Sequence, residues 1–176
     1  MPVKKIVLLG PESSGKSTMT EVLARHFSSP CLKETARVYL EQRSGQYDYD
    51  DLALIAGEQI REERAAEKEL NESGFLFLDT NVLMIQVWSE IVFGRCDNRV
   101  LNAAALVPYD LYLLCRPDIP WQPDPLREHP SESDRRRIFH HYLNMLQFQH
   151  IPFVILHGSI EERLSRAAEA IRSIGE

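Results

Sequence analysis

A nine-residue stretch near the start of the chain constrains the fold more than any other feature. It covers residues 10–18 and reads Gly-Pro-Glu-Ser-Ser-Gly-Lys-Ser-Thr. The spacing G-x-x-x-x-G-K-[ST] is that of the phosphate-binding P-loop. An apolar run, Ile6–Leu9, precedes it and a helical pattern from about Lys16 to Phe27 follows it. Because strand, loop and helix occur in the order that the motif requires, we expect the chain to bind a nucleoside triphosphate, taken here as ATP, although the motif does not distinguish ATP from GTP.

The residue types of this loop suit a phosphate. Two glycines let the backbone curl so that successive N–H groups point inward. Lys16 supplies a compact positive charge, and the Ser17 hydroxyl can ligand Mg²⁺. The following helix adds its positive N-terminal end. The predicted ATP-binding residues are Gly10, Glu12, Ser13, Ser14, Gly15, Lys16, Ser17, Thr18 and, from a later loop, Gly158.

Composition and charge argue against several other classes of protein. The net charge of −6 is opposite to the basic excess of a nucleic-acid-binding protein. No apolar run approaches the roughly 20 residues that cross a bilayer, and the chain begins without the pattern of a signal peptide. Its three cysteines, Cys31, Cys96 and Cys115, lack metal-site spacing. We expect a soluble cytoplasmic protein with reduced thiols and with no nucleic-acid or membrane partner; the oligomeric state is left open.

Apolar runs and helical patterns alternate along the chain. Continuous apolar runs are typical of strands covered on both faces in a parallel sheet, and they lie at Ile6–Leu9, Phe75–Leu78, Leu111–Cys115 and Phe153–Leu156, with Cys31–Lys33 as a weaker fifth. Helices are predicted at Thr18–Phe27, from Thr35, at Asp51–Leu70 with Asp51 as the N-cap, and at Val82–Ile91, Arg99–Val107, Asp134–Gln149 and Ile160–Ile174. The alternation predicts one three-layer α/β domain over residues 1–176, with a mostly parallel five-stranded sheet of the P-loop nucleoside/nucleotide-kinase type.

A proline-rich stretch interrupts this alternation. Five prolines fall between Pro117 and Ser133, a density that excludes a regular helix or a central strand. A loop of this length usually acts as a lid, and we expect the lid at about residues 116–135. A lid arginine can stabilise the charge of a phosphoryl group in transfer. Arg127 is the first candidate and Arg136 the second; for the triplet Arg135–Arg137 the alternative is a basic surface run. Asp124 could hold Arg127 or reach Mg²⁺.

Asp79 ends the second strong apolar run. A carboxylate at the carboxyl end of a strand neighbouring the P-loop is where these proteins place a second Mg²⁺ anchor. We therefore expect Asp79 and Ser17 to share the metal. The alternative is that Asp79 caps the helix that follows, although Thr80 could serve as that cap.

Polar side chains on the other side of the sheet suggest a site for a second substrate. Glu34 follows the weak strand and could accept a proton from an attacking hydroxyl, with Arg37 nearby; a solvated Glu–Arg pair is the alternative. Gln59 shares a helix face with apolar residues, so a substrate or a structural hydrogen bond would satisfy its amide. Trp88 could stack on a ligand or belong to the core. Gly158 follows the last strand, where backbone groups recognise adenine in this architecture, and Ser159 could cap the next helix.

Taken together, these motifs resemble the ribosylnicotinamide kinase domain of NadR-type proteins over nearly the whole chain. The residues that carry the resemblance are the P-loop, Glu34-x-Ala36-Arg37, Gly57-x-Gln59, Phe77-Leu78-Asp79-Thr80, Tyr109–Leu114 and Asp118-Ile119-Pro120-Trp121-x-x-Asp124-x-x-Arg127. The resemblance implies ATP-dependent phosphorylation of the 5′-hydroxyl of nicotinamide riboside. It implies phosphate and Mg²⁺ roles for Lys16, Ser17 and Asp79, and a lid role for Arg127 and Arg136. The implied substrate-binding residues are Glu34, Arg37, Gln59, Trp88, Trp121 and Asp124.

Two departures from the pattern refine this expectation. Fused NadR-type proteins carry an adenylyltransferase domain, which this chain lacks upstream of Gly10, so we expect it neither to make NAD nor to repress genes. Lys33 and Arg61 lie near the predicted acceptor edge. For a cationic nicotinamide they must point away or pair with Glu58 and Glu62. The alternatives are a kinase for another nucleoside-like alcohol and a nucleotide-sensing regulatory ATPase.

Overall fold

The strand before the P-loop lies at the centre of the sheet. The structure is a computed structural model and describes residues 2–70 and 74–175. Its strands are β1 (Lys4–Leu9), β2 (Cys31–Leu32), β3 (Phe75–Asp79), β4 (Leu111–Cys115) and β5 (Phe153–Leu156). Its helices are α1 (Lys16–His26), α2 (Thr35–Gln42), α3 (Tyr49–Glu69), α4 (Val82–Phe93), α5 (Asn98–Leu106), α6 (Glu132–Phe148) and α7 (Ile160–Gly175).

The five strands form one parallel sheet in the order β2-β3-β1-β4-β5. Leu8 of β1 pairs with Asp79 of β3 and with Leu113 of β4. The carboxyl ends of the three central strands therefore meet at one edge, as the continuous apolar runs predicted. The five-stranded α/β architecture is confirmed.

Helices cover both faces of the sheet because alternate strand residues are apolar on both sides. Ile6 and Leu8 face a core formed with α1 and α7. Val7 and Leu9 face a second core formed with α4 and α6. A third cluster joins α2, α3, α4 and α5 beside the sheet, and its buried members are Ala36, Leu52, Ile55, Ala56, Val82, Ile85 and Val100.

Capping residues set two helix boundaries away from the predicted positions. Asp48, not Asp51, is the N-cap of α3, and its carboxylate accepts hydrogen bonds from the backbone N–H groups of Asp50 and Asp51. Asp51 reaches back to the N–H of Asp48 at 2.9 Å, which completes a capping box. Ser131 caps α6, so the helix begins at Glu132 and the segment without helix or strand is 116–131 rather than 116–135.

Two general features of the described residues concern apolar helices and cysteines. None of their helices combines the length and the apolar character that spanning a membrane needs. The three cysteines are free thiols; Cys115 is buried and the other two are half-buried. Burial raises the pKa of the Cys115 thiol to about 11, so this thiol stays protonated and inert at neutral pH.

A pair of glycine substitutions tests how closely the P-loop backbone packs against β4. A Cβ at Gly10 would lie 2.6 Å from the carbonyl oxygen of Cys115, at a φ of +144°. We expect Gly10→Ala to lower the free energy of unfolding by about 1–3 kcal/mol. Gly57→Ala in α3 has open space around the new Cβ and should raise it by up to about 1 kcal/mol. Urea titrations followed by circular dichroism measure both, and a Gly10→Ala midpoint equal to that of the parent would contradict the close approach.

Candidate active site

The P-loop forms the turn between β1 and α1 through two positive-φ glycines. Gly10 (φ 144°) passes against β4, and Gly15 (φ 85°) occupies the N-cap of α1. No side chain of the described residues caps this helix, so the N–H groups of its first turn remain available to a ligand. The Lys16 ammonium donates to the carbonyl oxygen of Pro11 at 3.0 Å and so lies back across the loop. A loop with uncapped N–H groups and a lysine is a site for an anion.

Asp79 lies beside the P-loop because β3 pairs with β1. It is buried, and its Oδ1 accepts no hydrogen bond from the described residues. Burial raises the pKa of Asp79, whereas the charge of Lys16 and a hydrogen bond with Ser17 act in the opposite direction. Asn81, not Asp79 or Thr80, caps α4 by accepting the N–H of Leu83 at 3.2 Å. An unpartnered carboxylate oxygen and a neighbouring hydroxyl are oxygen ligands of the kind that Mg²⁺ prefers.

A cavity of about 340 Å³ extends from the P-loop to α2, α4, the lid and α6. It brings together most of the predicted site residues: all of the P-loop positions, with Glu34, Arg37, Trp88, Asp124 and Arg127. Gln59, Asp79, Trp121, Arg136 and Gly158 are not among the residues that line it. The cavity therefore joins a phosphate site to the predicted acceptor edge.

The lid, residues 116–131, is closed over the P-loop. The Glu12 carboxylate accepts the backbone N–H groups of Glu128 at 3.0 Å and His129 at 2.8 Å. The Ser13 hydroxyl accepts the N–H of Gln122 at 3.0 Å. Two residues predicted to bind ATP thus use their side chains to hold the lid, while their backbone remains in the loop.

Asp124 of the lid is paired with Arg37 of α2. Its carboxylate also accepts the N–H of Leu126 at 3.0 Å. These two contacts, the backbone hydrogen bond first, hold the pKa of Asp124 below its usual range. The prediction that Asp124 holds Arg127 or reaches Mg²⁺ is therefore replaced by a cross-cleft ion pair with Arg37. Arg37 lies in α2 and Asp124 in the lid, so their pairing joins the acceptor edge to the lid.

Glu34 lies at the N-cap position of α2, but its side chain does not cap the helix. It is half-buried and lines the cavity. Burial raises the pKa of Glu34 to about 7; nearby Lys16 and Arg37 lower it, and Asp79 and Glu12 raise it further. Arg37 pairs with Asp124 and Glu41 instead. Within the described chain, the alternative of a solvated Glu34–Arg37 pair is thus not formed, and Glu34 is left facing the cleft.

An aromatic pair lines the cavity beyond Glu34. The Trp88 ring lies 4.6 Å from that of Tyr47, and its indole N–H donates to the Tyr47 hydroxyl at 3.1 Å. Tyr47 in turn donates to Glu128 of the lid at 3.1 Å. Trp88 also packs against the α2–α5 cluster, which is the core role considered for it, and it lines the cavity as well. Sequence reasoning missed Tyr47 and Glu128, since neither lies in a periodic pattern or a motif.

The arginines of the lid and of the start of α6 lie in different surroundings. Arg127 lines the cavity and donates to the carbonyl oxygen of Gln122. Arg136 points to solvent, with 69% of its side chain exposed, and pairs with Glu132. Arg135 is the buried member of the triplet and donates to the carbonyl oxygens of Ser13 and Ile119. Neither Arg135 nor Arg136 lines the cavity, so the structure brings only Arg127 of the two predicted lid arginines, Arg127 and Arg136, to the P-loop.

Gln59 and Trp121 lie outside the cavity lining for identifiable reasons. The Gln59 amide donates to the buried Glu63 carboxylate at 3.0 Å. That is the structural hydrogen bond considered as its alternative, so Gln59 is left out of the proposed acceptor site. Trp121 has the guanidinium groups of Arg127 and Arg135 at 5.6 and 5.7 Å from its ring. Its contact with both arginines is a cation–π arrangement that supports the lid.

Gly158 is linked to the P-loop through an arginine that sequence reasoning missed. Arg163 of α7 is almost fully buried and donates to the carbonyl oxygens of Ser14 at 2.7 Å and Gly158 at 3.1 Å. It also pairs with Asp118, which accepts the N–H of Gly158 at 2.8 Å. Ser159 accepts the N–H of Glu162 at 3.2 Å at the start of α7. The loop after β5 is thereby fixed relative to the P-loop.

The cations near the acceptor edge point away from the cavity. Lys33 is exposed, and Arg61 has 74% of its side chain exposed and pairs with Glu58. Glu62 accepts a hydrogen bond from Thr35 at 2.6 Å. Lys33 and Arg61 therefore do not place a positive charge in the cavity, as a cationic acceptor requires.

Comparison with known proteins agrees with this geometry. A family model described as an AAA domain, AAA_28, matches residues 5–163. The trifunctional NAD biosynthesis/regulator proteins NadR of Salmonella typhimurium and Escherichia coli are 30% and 31% identical over 180 residues. Those matches cover 98% of this chain, and the chain spans 43% of the length of each relative.

Solved structures show the same fold. A crystal structure of NadR protein in complex with NR matches with a TM-score of 0.76 at 24% identity, over 98% of this chain and 51% of that one. Thymidylate kinase from Ehrlichia chaffeensis matches with a TM-score of 0.71 at 12% identity, over 97% and 100% of the two chains. The resemblance to NadR-type proteins that the motifs predicted is confirmed. Because the family model matches most of its length, the chain belongs to the AAA_28 family of AAA domains.

Proposed function

We propose that this protein is a Mg·ATP-dependent kinase that phosphorylates the 5′-hydroxyl of nicotinamide riboside to give nicotinamide mononucleotide. One observation carries the proposal: a single lidded cavity joins the P-loop to Glu34 and to the Trp88–Tyr47 pair. A kinase needs a triphosphate site and an alcohol site that share an enclosed space. A regulatory ATPase needs no such acceptor compartment. Similarity to NadR, and a NadR structure in complex with NR, favour this acceptor.

In the proposed reaction, a few residues would each have a separate role. The P-loop amides and Lys16 would hold the β- and γ-phosphates. Ser17 and Asp79 would hold Mg²⁺, which neutralises phosphate charge when bound. Glu34 would orient the 5′-hydroxyl and accept its proton as the oxygen attacks in line with the leaving group. Arg127 would stabilise the equatorial oxygens of the phosphoryl group from the lid.

The aromatic end of the cavity suits a cationic acceptor. The cavity as a whole is lined by both signs of charge: its carboxylates are Glu12, Glu34, Asp124 and Glu128, and its cations include Lys16, Arg37 and Arg127. The two lid-side acids, Asp124 and Glu128, contact Arg37 and Tyr47 respectively. Aromatic faces attract a cation through their quadrupole, so the Trp88–Tyr47 pair beside Glu128 would favour a pyridinium ring. Another nucleoside-like alcohol would lose that electrostatic gain.

A riboside panel with Mg·ATP tests the proposal. We expect phosphorylated nicotinamide riboside as the main product, measured by mass spectrometry. Lys16→Ala should lower its formation roughly hundredfold or more, because the developing charge on the phosphates loses its ammonium partner. An unchanged thermal unfolding midpoint is the control for folding. A different phosphorylated nucleoside would replace the acceptor proposed here, and ATP hydrolysis indifferent to every riboside would indicate a regulatory ATPase.

The pKa of Glu34 predicts a pH dependence. A general base must be ionised, so kcat/KM for the riboside should fall as the pH is lowered through about 7, the pKa of Glu34. Glu34→Gln should lower kcat roughly 10²–10⁴-fold and lose this limb of the profile. Initial rates measured from about pH 5.5 to about pH 8.5, in steps of about half a pH unit, give both the parent profile and that of the variant. A parent profile with no acidic limb would exclude Glu34 as the base.

The same shift predicts an effect of Glu34 on stability. The folded-state pKa of about 7 is higher than the ordinary value of 4.5, so ionising Glu34 disfavours the folded state as the pH rises above 4.5. We expect Glu34→Gln to raise the thermal unfolding midpoint by about 2–4 °C at pH 8. It should have little effect at pH 4, where the carboxyl is protonated in both states. Equal midpoint changes at the two pH values would show that the effect does not come from ionisation.

The two lid-side arginines provide a matched comparison. Arg127 lines the cavity and Arg136 points to solvent. Arg127→Ala should lower kcat by about 10²-fold or more because the transferring phosphoryl group loses a charge partner. Arg136→Ala should leave kcat within about twofold, since an exposed ion pair contributes little. Single-turnover measurements distinguish the chemical step from product release, and equal losses in the two variants would contradict these placements.

A further inference from the structure

Apolar side chains of α4 and α6 form part of the cavity wall, and one tyrosine lies among them. Met84, Val87 and Ile91 of α4 and Ile138 of α6 line the cavity. Tyr142, one turn after Ile138, lines it as well and is only 4% exposed. The ring packs in the core beside β1 and β4. The phenolic hydroxyl is therefore the polar group that α6 presents to this part of the cavity.

The Tyr142 hydroxyl has no hydrogen-bond partner in the described part of the chain. Two other tyrosines that pack in the same core differ in this respect. Tyr109 donates to Glu63 at 3.2 Å, and Tyr112 accepts from Asn81 at 2.9 Å. The Tyr142 hydroxyl is not among the fully enclosed polar atoms of the described residues that lack a partner, so it is open to the cavity that Tyr142 lines. A ligand that displaces water from this cavity would have to supply its hydrogen-bond partner.

The surroundings define the chemistry of that partner. Burial, with the charges of Glu34 and Glu12, raises the pKa of Tyr142 far above its ordinary value. The hydroxyl consequently keeps its proton and can donate. Thr80, at the end of β3, lines the same cavity and also has a buried hydroxyl without a partner in the described residues. The Thr80 hydroxyl is enclosed, so Tyr142 is the hydroxyl open to a ligand, and a ligand group that accepts a hydrogen bond, such as a sugar hydroxyl, suits it.

The place of Tyr142 in the cavity indicates which part of the acceptor its hydroxyl would contact. In the proposed reaction the 5′-oxygen lies at Glu34 and the ring system lies at the Trp88–Tyr47 pair. The ribose would span the distance between them, within the cavity that Tyr142 also lines. We propose that Tyr142 is a specificity-determining residue whose hydroxyl donates a hydrogen bond to a ribose hydroxyl of the acceptor; this inference rests on the proposed function.

The consequence is discrimination between ribosides and deoxyribosides. A site built to bond a substrate hydroxyl rejects an analogue that lacks it, because a buried polar group is then left without a partner. Removing the protein hydroxyl should remove that penalty. The protein is thereby expected to distinguish sugars through α6, the helix that directly follows the lid.

A cycle of protein and substrate changes tests the contact. The parent protein and Tyr142→Phe are assayed with nicotinamide riboside and with its 2′-deoxy and 3′-deoxy analogues. We expect the parent to favour the riboside over one of the analogues by roughly tenfold in kcat/KM. In Tyr142→Phe that ratio should fall to within about twofold of unity, with the KM for ATP unchanged. Tyr39→Phe removes a hydroxyl that contacts Asp51 outside the cavity and should keep the parent ratio.

Each outcome of this cycle decides the inference. An equal loss of kcat/KM on all three substrates would show that Tyr142 acts on the fold or on Glu34, and would overturn it. An unchanged ratio would overturn it too. If the riboside panel identifies a different nucleoside, the same cycle with the deoxy forms of that nucleoside tests Tyr142 although the proposed acceptor has failed. Failure of every riboside as a substrate overturns both. Tyr142→Phe keeps the packed ring, and its thermal unfolding midpoint verifies that the fold is intact.

Discussion

The parallel register of β1 with its two neighbours is the constraint on which the rest of the structure depends. It aligns Leu8 with Asp79 on one side and with Leu113 on the other. The P-loop therefore leaves the sheet beside the carboxylate that fits Mg²⁺ and against the carbonyl group of Cys115. A shift of one residue would turn the strand side chains to the opposite faces. It would also move Asp79 away from Ser17.

Charge pairing completes the cavity that the sheet begins. The lid is tied to the P-loop through Glu12 and Ser13, and to α2 through the Arg37–Asp124 pair. These contacts use backbone N–H groups and charged side chains, which are costly to bury without partners. Polar and charged contacts thus hold the lid closed over the cavity. Hydrogen bonds and ion pairs of this kind can be exchanged for contacts with a ligand.

Motif spacing and helix phase differ in what they could predict about the site. Position relative to a strand end or a short motif is enough to place the P-loop, Asp79, Glu34 and Arg127 around the cleft. Spacing alone does not tell which face of α6 packs against the sheet: Arg135 is buried, Arg136 is exposed, and neither lines the cavity. Gln59 was correctly predicted to face inward, but Glu63 rather than the cavity satisfies its amide.

The sequence by itself determined the parallel α/β fold, the phosphate loop and the strand-end carboxylate, because continuous apolar runs and local spacing are sufficient to specify them. Only the tertiary structure decided which distant side chains share the cavity with the P-loop. Tyr47 and Glu128 meet across the cleft although the connection after α2 and the lid are far apart in the chain. Tyr142 and Arg163 take their positions from the packing of α6 and α7 on the sheet. Contacts of this kind depend on helix phase and loop closure, which no local pattern of residues records.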